Sequence, residues 1–267
     1  MGIGKKALEI AEHLGIKKDM HEVMGWALEK ASDKIEDEKT GVDALRERLA
    51  EMSNEELALY VPNVYQKSIY DDEDYGIDYK KLWDKGIRFL SFDIDDTISD
   101  SIKNKGLAAL GVKKLMPEDA EKLFEKLKSM GFTVTLLTNA HEGVAKPVCK
   151  QLKADGYIAR AHKPDTANFE VMRQRFGVEK SQMAHIGNSM RDDVLGGNRF
   201  GITTCLVRRN GISMSVAKHI KTNMVGISTK GQAIRDELLK RDMFTRHHVK
   251  EKGDQYYQLG ELPLYRQ

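Results

Sequence analysis

Short apolar runs, four to six residues long, recur through the middle of the chain: Ile87–Phe92, Phe132–Leu137, Tyr157–Arg160, Met183–Gly187 and Ile202–Val207. Each is bounded by turn residues and reads as a strand; Arg88 and Ser91 are the polar interruptions of the first. Helical spacing fills the gaps. Pro117, the acids that follow it and Gly131 punctuate one helix whose buried stripe is Leu123, Phe124 and Leu127. His141–Asp155 reads as a second helix that must tolerate Pro147 and stops at Gly156. A third starts at Asp165 or Thr166 and closes at Gly177, and a fourth follows Asp193 and ends near Gly201. Strands alternating with helices predict an α/β fold: a mainly parallel sheet of about five strands with helices on both faces.

Outside this alternation the pattern changes. Residues 1–60 read as a helical N-terminal extension, with Ala7, Ile10, Ala11 and Leu14, then Val23, Trp26, Ala27 and Ala31, at helical spacing. Ser53 and Glu56 fit a capping box. Residues 61–228 form the expected core, and 229–267 a helical C-terminal extension and tail. The aromatic, acidic stretch Tyr60–Tyr79 has no period, and its acids Asp71, Asp72, Glu73 and Asp74 lack the calcium-loop spacing. It leads into a short helix around Lys80–Trp83 that Gly86 ends. The terminal helices suit either a cover for the core or an arm for a partner or a second copy of the chain.

Composition narrows the classes. The 267 residues are 40% hydrophobic and 31% charged, which suits a globular domain with charged helices. A net charge of +2 makes no electrostatic case for nucleic acid. Cys149 and Cys205 have no metal-ligand spacing and suggest no disulfide framework. The start is too charged for a signal peptide, and no apolar stretch approaches the roughly 20 residues of a membrane span. The expected location is cytoplasmic, with peripheral membrane contact left open.

The candidate chemistry gathers where strands end, the edge at which open α/β sheets bind ligands. Asp93 and Asp95 follow the first strand, Thr138 and Asn139 the second, Lys163 the third, and Asn188, Asp192 and Asp193 the fourth. Paired carboxylates repel and call for a cation or a proton between them. A hydroxyl, an amide and a lysine suit an anion. Arg208 and Arg209 end the fifth strand and are candidates to grip a second anionic group of a substrate.

FDIDDT, LLTN, HKP and IGNSMRDD, in that order, resemble the four motifs of the haloacid dehalogenase superfamily of phosphohydrolases, over about residues 86 to 210. The run VLGGNRFGI and the lead-in from Ser68 to Thr97 look more narrowly like its YqeG-like branch, which is similar to the phosphatidylglycerophosphate phosphatases. The resemblance implies a Rossmann-like fold and Mg²⁺-dependent hydrolysis of a phosphomonoester. Asp93 would attack phosphorus and form an aspartyl-phosphate. Asp95 would protonate the leaving alcohol and then activate water. Thr138 would bind a phosphoryl oxygen, and Lys163 would stabilise the charge on Asp93 and the transferring group. Asn139, Arg208 and Arg209 would bind substrate. Mg²⁺ would be held by Asp93, Asp95, Asn188, Asp192 and Asp193.

The family usually has Asp where this chain has Asn188, an oxygen ligand without charge, so weaker metal binding is expected. The alternative reading is a catalytically weak module that binds a phosphorylated ligand or a protein partner. Only 44 residues separate Asp93 from Thr138 and 24 separate Thr138 from Lys163. Neither gap holds the cap domain that many relatives insert. This resembles the capless third subclass, whose open sites suit large or headgroup-type substrates.

Overall fold

The computed structural model describes residues 41–66, 68–70, 76–99, 116–207 and 230–243. The chain divides into two compact units, residues 1–44 and 45–267. Of the first, only residues 41–44 are described, within a helical segment that runs to 51. Residues 45–60, expected within the N-terminal extension, belong to the second unit together with the core.

The second unit is α/β, with six parallel strands: β1 (Val64–Gln66), β2 (Phe89–Phe92), β3 (Thr133–Leu137), β4 (Gly156–Ile158), β5 (Met183–Gly187) and β6 (Thr203–Val207), in the order β1-β6-β5-β2-β3-β4. The helices are α1 (Asn54–Ala58), α2 (Tyr79–Asp84), α3 (Glu118–Ser129), α4 (Glu142–Gln151), α5 (Ala167–Phe176), α6 (Leu195–Phe200) and α7 (Lys230–Lys240). Five strands fall where the apolar runs predict them. The sixth, β1, is a three-residue edge strand in the stretch read as loop.

The strands alternate between two buried layers, as pleated backbone requires. Leu90, Phe92, Val134, Leu136, Ala184 and Ile186 face one core with Phe124 and Leu127 of α3. Phe89, Leu137 and Met183 face the other, with Phe169 and Met172 of α5 and Phe200 of α6. The helices begin and end for local reasons. Ser53 and Glu56 exchange backbone bonds of 3.2 and 2.8 Å, which completes the capping box of α1. Pro117 takes the N-cap of α3, acids fill its first turn, and lysines lie in its last, as the helix dipole favours. Gly131 follows with φ 96°, a left-handed turn suited to glycine. For α5, Thr166 holds the N-cap position, but Asp165 Oδ1 accepts the Ala167 N–H at 2.8 Å.

The GGN run of α6 tethers the edge strand. Asn198 Nδ2 donates to the carbonyls of Leu59 and Val61 at 2.9 and 2.8 Å, and its Oδ1 accepts from Thr204 Oγ1 at 3.0 Å. Asn63 Oδ1 accepts the Thr204 N–H at 2.7 Å. Gly197 allows this approach, because a Cβ there would lie 2.5 Å from Thr204 Cγ2. Arg241, just past α7, donates to the carbonyls of Leu49, Ala50 and Met52, capping the end of the 41–51 segment. The C-terminal helix is thereby packed within the same unit. Among the described residues, no helix is long and apolar enough to cross a membrane.

Candidate active site

The site lies at the carboxyl edge of the central strands. β2 ends at Phe92, and the Asp93 N–H continues its ladder by donating to Ile186 O at 2.9 Å. The chain then turns tightly: Asp96 has φ 61°, a conformation Asp tolerates better than most residues, and its N–H donates to Ser99 O at 2.7 Å. The turn brings the buried Thr97 hydroxyl back to 3.5 Å from Asp93 Oδ2 and 3.2 Å from Asn188 Oδ1. Asp95 is half-buried in this turn.

Lys163 enters from the loop after β4. Asn139, at the end of β3, holds its backbone on both sides: Asn139 Oδ1 accepts the Lys163 N–H at 2.8 Å, and Nδ2 donates to Lys163 O at 3.2 Å. Asn139, expected to bind substrate, thus holds the Lys163 backbone in place. Thr138 is buried beside it, and its Oγ1 accepts the Ala140 N–H at 3.1 Å. Lys163 is 5% exposed, and its ammonium makes three bonds: Asp93 Oδ1 at 2.9 Å, Leu137 O at 2.8 Å and Asp193 Oδ1 at 2.6 Å. Three donors meet three acceptors, so the ammonium is fully satisfied.

Asp193 reaches this position through a π-helical turn, Met190–Val194, in which the Val194 N–H donates back to Ser189 O at 3.1 Å. The extra residue in the turn rotates Asp193 inward, and such turns often mark functional sites. Asp193 Oδ1 also meets His185 Nε2 at 3.1 Å, and Oδ2 accepts the Ser189 N–H at 2.9 Å. Gly187 is the companion of this arrangement: a Cβ there would stand 2.1 Å from Asp193 Cγ. Any side chain at 187 would drive the carboxylate off Lys163.

Burial and charge set the protonation. Burial, with the carboxylates of Asp193 and Asp95, pushes Asp93 up to about 6 against the pull of Lys163. Burial also disfavours charge on Asp193, but Lys163 and the His185 bond outweigh it and hold that carboxyl below its ordinary range. Burial pulls Lys163 down, yet Asp193 and Asp93 together leave it above its usual value. Burial lowers His185, favouring the neutral ring. One lysine between two buried carboxylates leaves a net negative charge, which is unfavourable without a further cation.

The expected metal set is only partly brought together. Asp93 Oδ2 and Asn188 Oδ1 share the Thr97 hydroxyl, and these hard oxygens beside a net negative charge fit a divalent cation such as Mg²⁺. Asp193 is bonded on both oxygens, Oδ1 to Lys163 and His185 and Oδ2 to the Ser189 N–H, and so anchors Lys163. Asp192 is engaged by its own turn, accepting from Ser189 Oγ at 3.2 Å and pairing with Arg191 at 3.5 Å. Among the described residues, no three acidic, histidine or cysteine side chains converge as a metal centre. Arg208 and Arg209 lie outside the described residues.

Residues 95–201 match the family model described as haloacid dehalogenase-like hydrolase. The match holds Asp95, Thr138, Lys163, Asn188 and Asp193, and Asp93 stands two residues before it. The chain is 26% identical over 148 residues to the probable phosphatase YqeG of Bacillus subtilis (strain 168), covering 55% of this chain and 77% of that protein. It is also 26% identical over 145 residues to (S)-2-haloacid dehalogenase 4A of Burkholderia cepacia, covering 50% of this chain and 61% of that one, less than two thirds of its length. A crystal structure of a predicted phosphoglycolate phosphatase from Haemophilus somnus 129pt overlaps with a TM-score of 0.38 at 14% identity, over 49% of this chain and 91% of that one.

Proposed function

We propose that the protein is a Mg²⁺-dependent phosphomonoester hydrolase that works through an aspartyl-phosphate on Asp93. The observation that carries this reading is the fully satisfied ammonium of Lys163, buried between Asp93 and Asp193 at the carboxyl edge of β2. Such a lysine cancels part of the repulsion between the Asp93 carboxylate and an approaching phosphate anion. The Asp93 carboxylate then attacks phosphorus as the bond from phosphorus to the ester oxygen breaks. Asp95 gives a proton to the leaving alcohol and later takes one from the water that releases phosphate. Thr138 donates to a phosphoryl oxygen through its hydroxyl. Asp93 Oδ2, Asn188 Oδ1 and the main-chain carbonyl of Asp95 would hold the cation, whose chemistry is to neutralise charge on the phosphoryl oxygens.

The short gaps between motifs favour an open site, and so a large or headgroup-type ester, phosphatidylglycerophosphate-like among them. Arg208 and Arg209, outside the described residues, would serve its second anionic group. Free Cys149 and Cys205 are consistent with a reducing, cytoplasmic setting. Association through the terminal helices, as a homo-oligomer, would supply a substitute lid.

Asn188 favours a second reading, in which the site binds a phosphorylated ligand or partner with little turnover. Phosphate release from p-nitrophenyl phosphate, with Mg²⁺ and with EDTA, separates the two. The hydrolase reading expects release that EDTA abolishes, with Asn188→Asp saturating at about tenfold less Mg²⁺, since a second charged ligand adds Coulomb attraction. Release that persists in EDTA would contradict the metal assignment. A silent native protein with an active Asn188→Asp variant would favour the binding module.

A further inference from the structure

Beneath the site, one layer deeper in the sheet, runs a row of polar side chains. Thr135, Ser91, His185 and Thr204 stand side by side on β3, β2, β5 and β6, in direct register, and none exceeds 1% exposure. They occupy the face packed by Phe89, Met183 and Phe169, where apolar residues would satisfy the core. A buried polar group is costly unless bonded, so each partner matters. Thr135 and Thr204 are satisfied locally, by Leu90 O at 3.1 Å and by Asn63 and Asn198. His185 alone in this row connects to the site, through Asp193.

The direction of the bonds follows from the groups. The Asp193 carboxylate only accepts, so His185 Nε2 carries the proton at 3.1 Å. Nδ1 is then bare, and the Ser91 hydroxyl donates to it at 2.9 Å, a shorter contact than its 3.4 Å alternative at Ala184 O. The ring is held from the side by Phe169, edge to face at 5.1 Å between centroids. The chain of bonds leaves β2 at Ser91, crosses to β5 at His185, passes through Asp193 and Lys163, and returns to Asp93, two residues beyond Ser91 on the same strand.

We propose that Ser91 and His185 form a buried positioning relay that fixes the Asp193 carboxylate, and through it Lys163, so that they govern turnover rather than substrate affinity. This inference rests on the phosphatase reading. Asp193 Oδ1 serves two donors at once; with the imidazole gone only Lys163 and the Ser189 N–H hold the carboxylate, and the distance from Lys163 to Asp93 is less tightly fixed. Neither Ser91 nor His185 reaches a reacting atom.

Two measurements test it. In protein labelled with nitrogen-15 histidine, long-range proton–nitrogen correlation reports the ring state, with the His185 signals assigned by their loss in His185→Gln. The relay expects a proton on Nε2 and a bare Nδ1; a proton on Nδ1 overturns it. In turnover of p-nitrophenyl phosphate, His185→Leu should lower kcat by about 10- to 100-fold with KM within about twofold, the usual scale for a group that orients an active-site residue. His185→Gln, whose amide nitrogen restores a donor near Nε2, should recover most of the loss, and Ser91→Ala should fall in between. A native rate in His185→Leu, or a loss confined to KM, overturns the positioning role while an inactive Asp93→Asn still supports the phosphatase. If the native protein itself releases no phosphate, the phosphatase reading has failed, and the ring state alone decides the relay.

Discussion

Asp93→Asn is expected to reduce Mg²⁺-dependent phosphate release by at least about 10⁴-fold, because losing a nucleophile removes the covalent route altogether. The substitution is nearly isosteric, and it replaces a buried carboxylate that its surroundings already push up to about 6. Lys163 keeps Asp193 and Leu137 O as partners. Thermal unfolding should therefore stay within a few degrees of native, on the roughly 2–4 °C per kcal/mol of a domain of this size. Loss of activity with an intact melting profile separates a chemical role from a structural one. Activity retained in this variant would place the nucleophile elsewhere.

Lys163→Ala should damage both stability and catalysis. Lys163 is the buried cation shared by Asp93 and Asp193, and its removal strands two buried carboxylates. Removing one partner of a buried pair typically costs about 3–5 kcal/mol. Urea denaturation without Mg²⁺ should show a loss of that order. Adding Asp193→Asn to Lys163→Ala should restore part of it by removing one stranded charge. The rate should fall by about 10²–10³-fold, the usual scale for a lost electrostatic donor. If Lys163→Ala unfolds at the native urea concentration, the ion triad does not hold the site together.

The strand ends were legible because they depend on local pattern. Apolar runs bounded by glycine and acids located five of six strands, and Ser53 with Glu56 announced a helix start that the structure contains. Asp93 and Lys163 were legible by the same logic, as polar residues just past apolar strands. β1 was not, since its three residues have no period of their own. It is held by Asn63, Asn198 and Thr204, whose bonds join positions 141 residues apart. The π-helical turn also escaped, and with it the division of labour between Asp192 and Asp193, because one extra residue in a turn decides which carboxylate points inward. His185 was hidden inside an apolar strand. A lone histidine or serine in such a run looks like an interruption until the register aligns Ser91 with it. The bonds from Asn139 to Lys163 were not legible, since nothing local reveals that its amide matches the backbone of Lys163.

The stereochemical course at phosphorus tests the central claim most directly. With a phosphorothioate monoester made chiral at phosphorus by two oxygen isotopes, hydrolysed in water of the third isotope with Mg²⁺ present, attack by Asp93 followed by attack of water comprises two in-line displacements. The account predicts net retention of configuration in the released thiophosphate. Net inversion would mean that water attacks the ester in one step and would contradict the aspartyl-phosphate on Asp93.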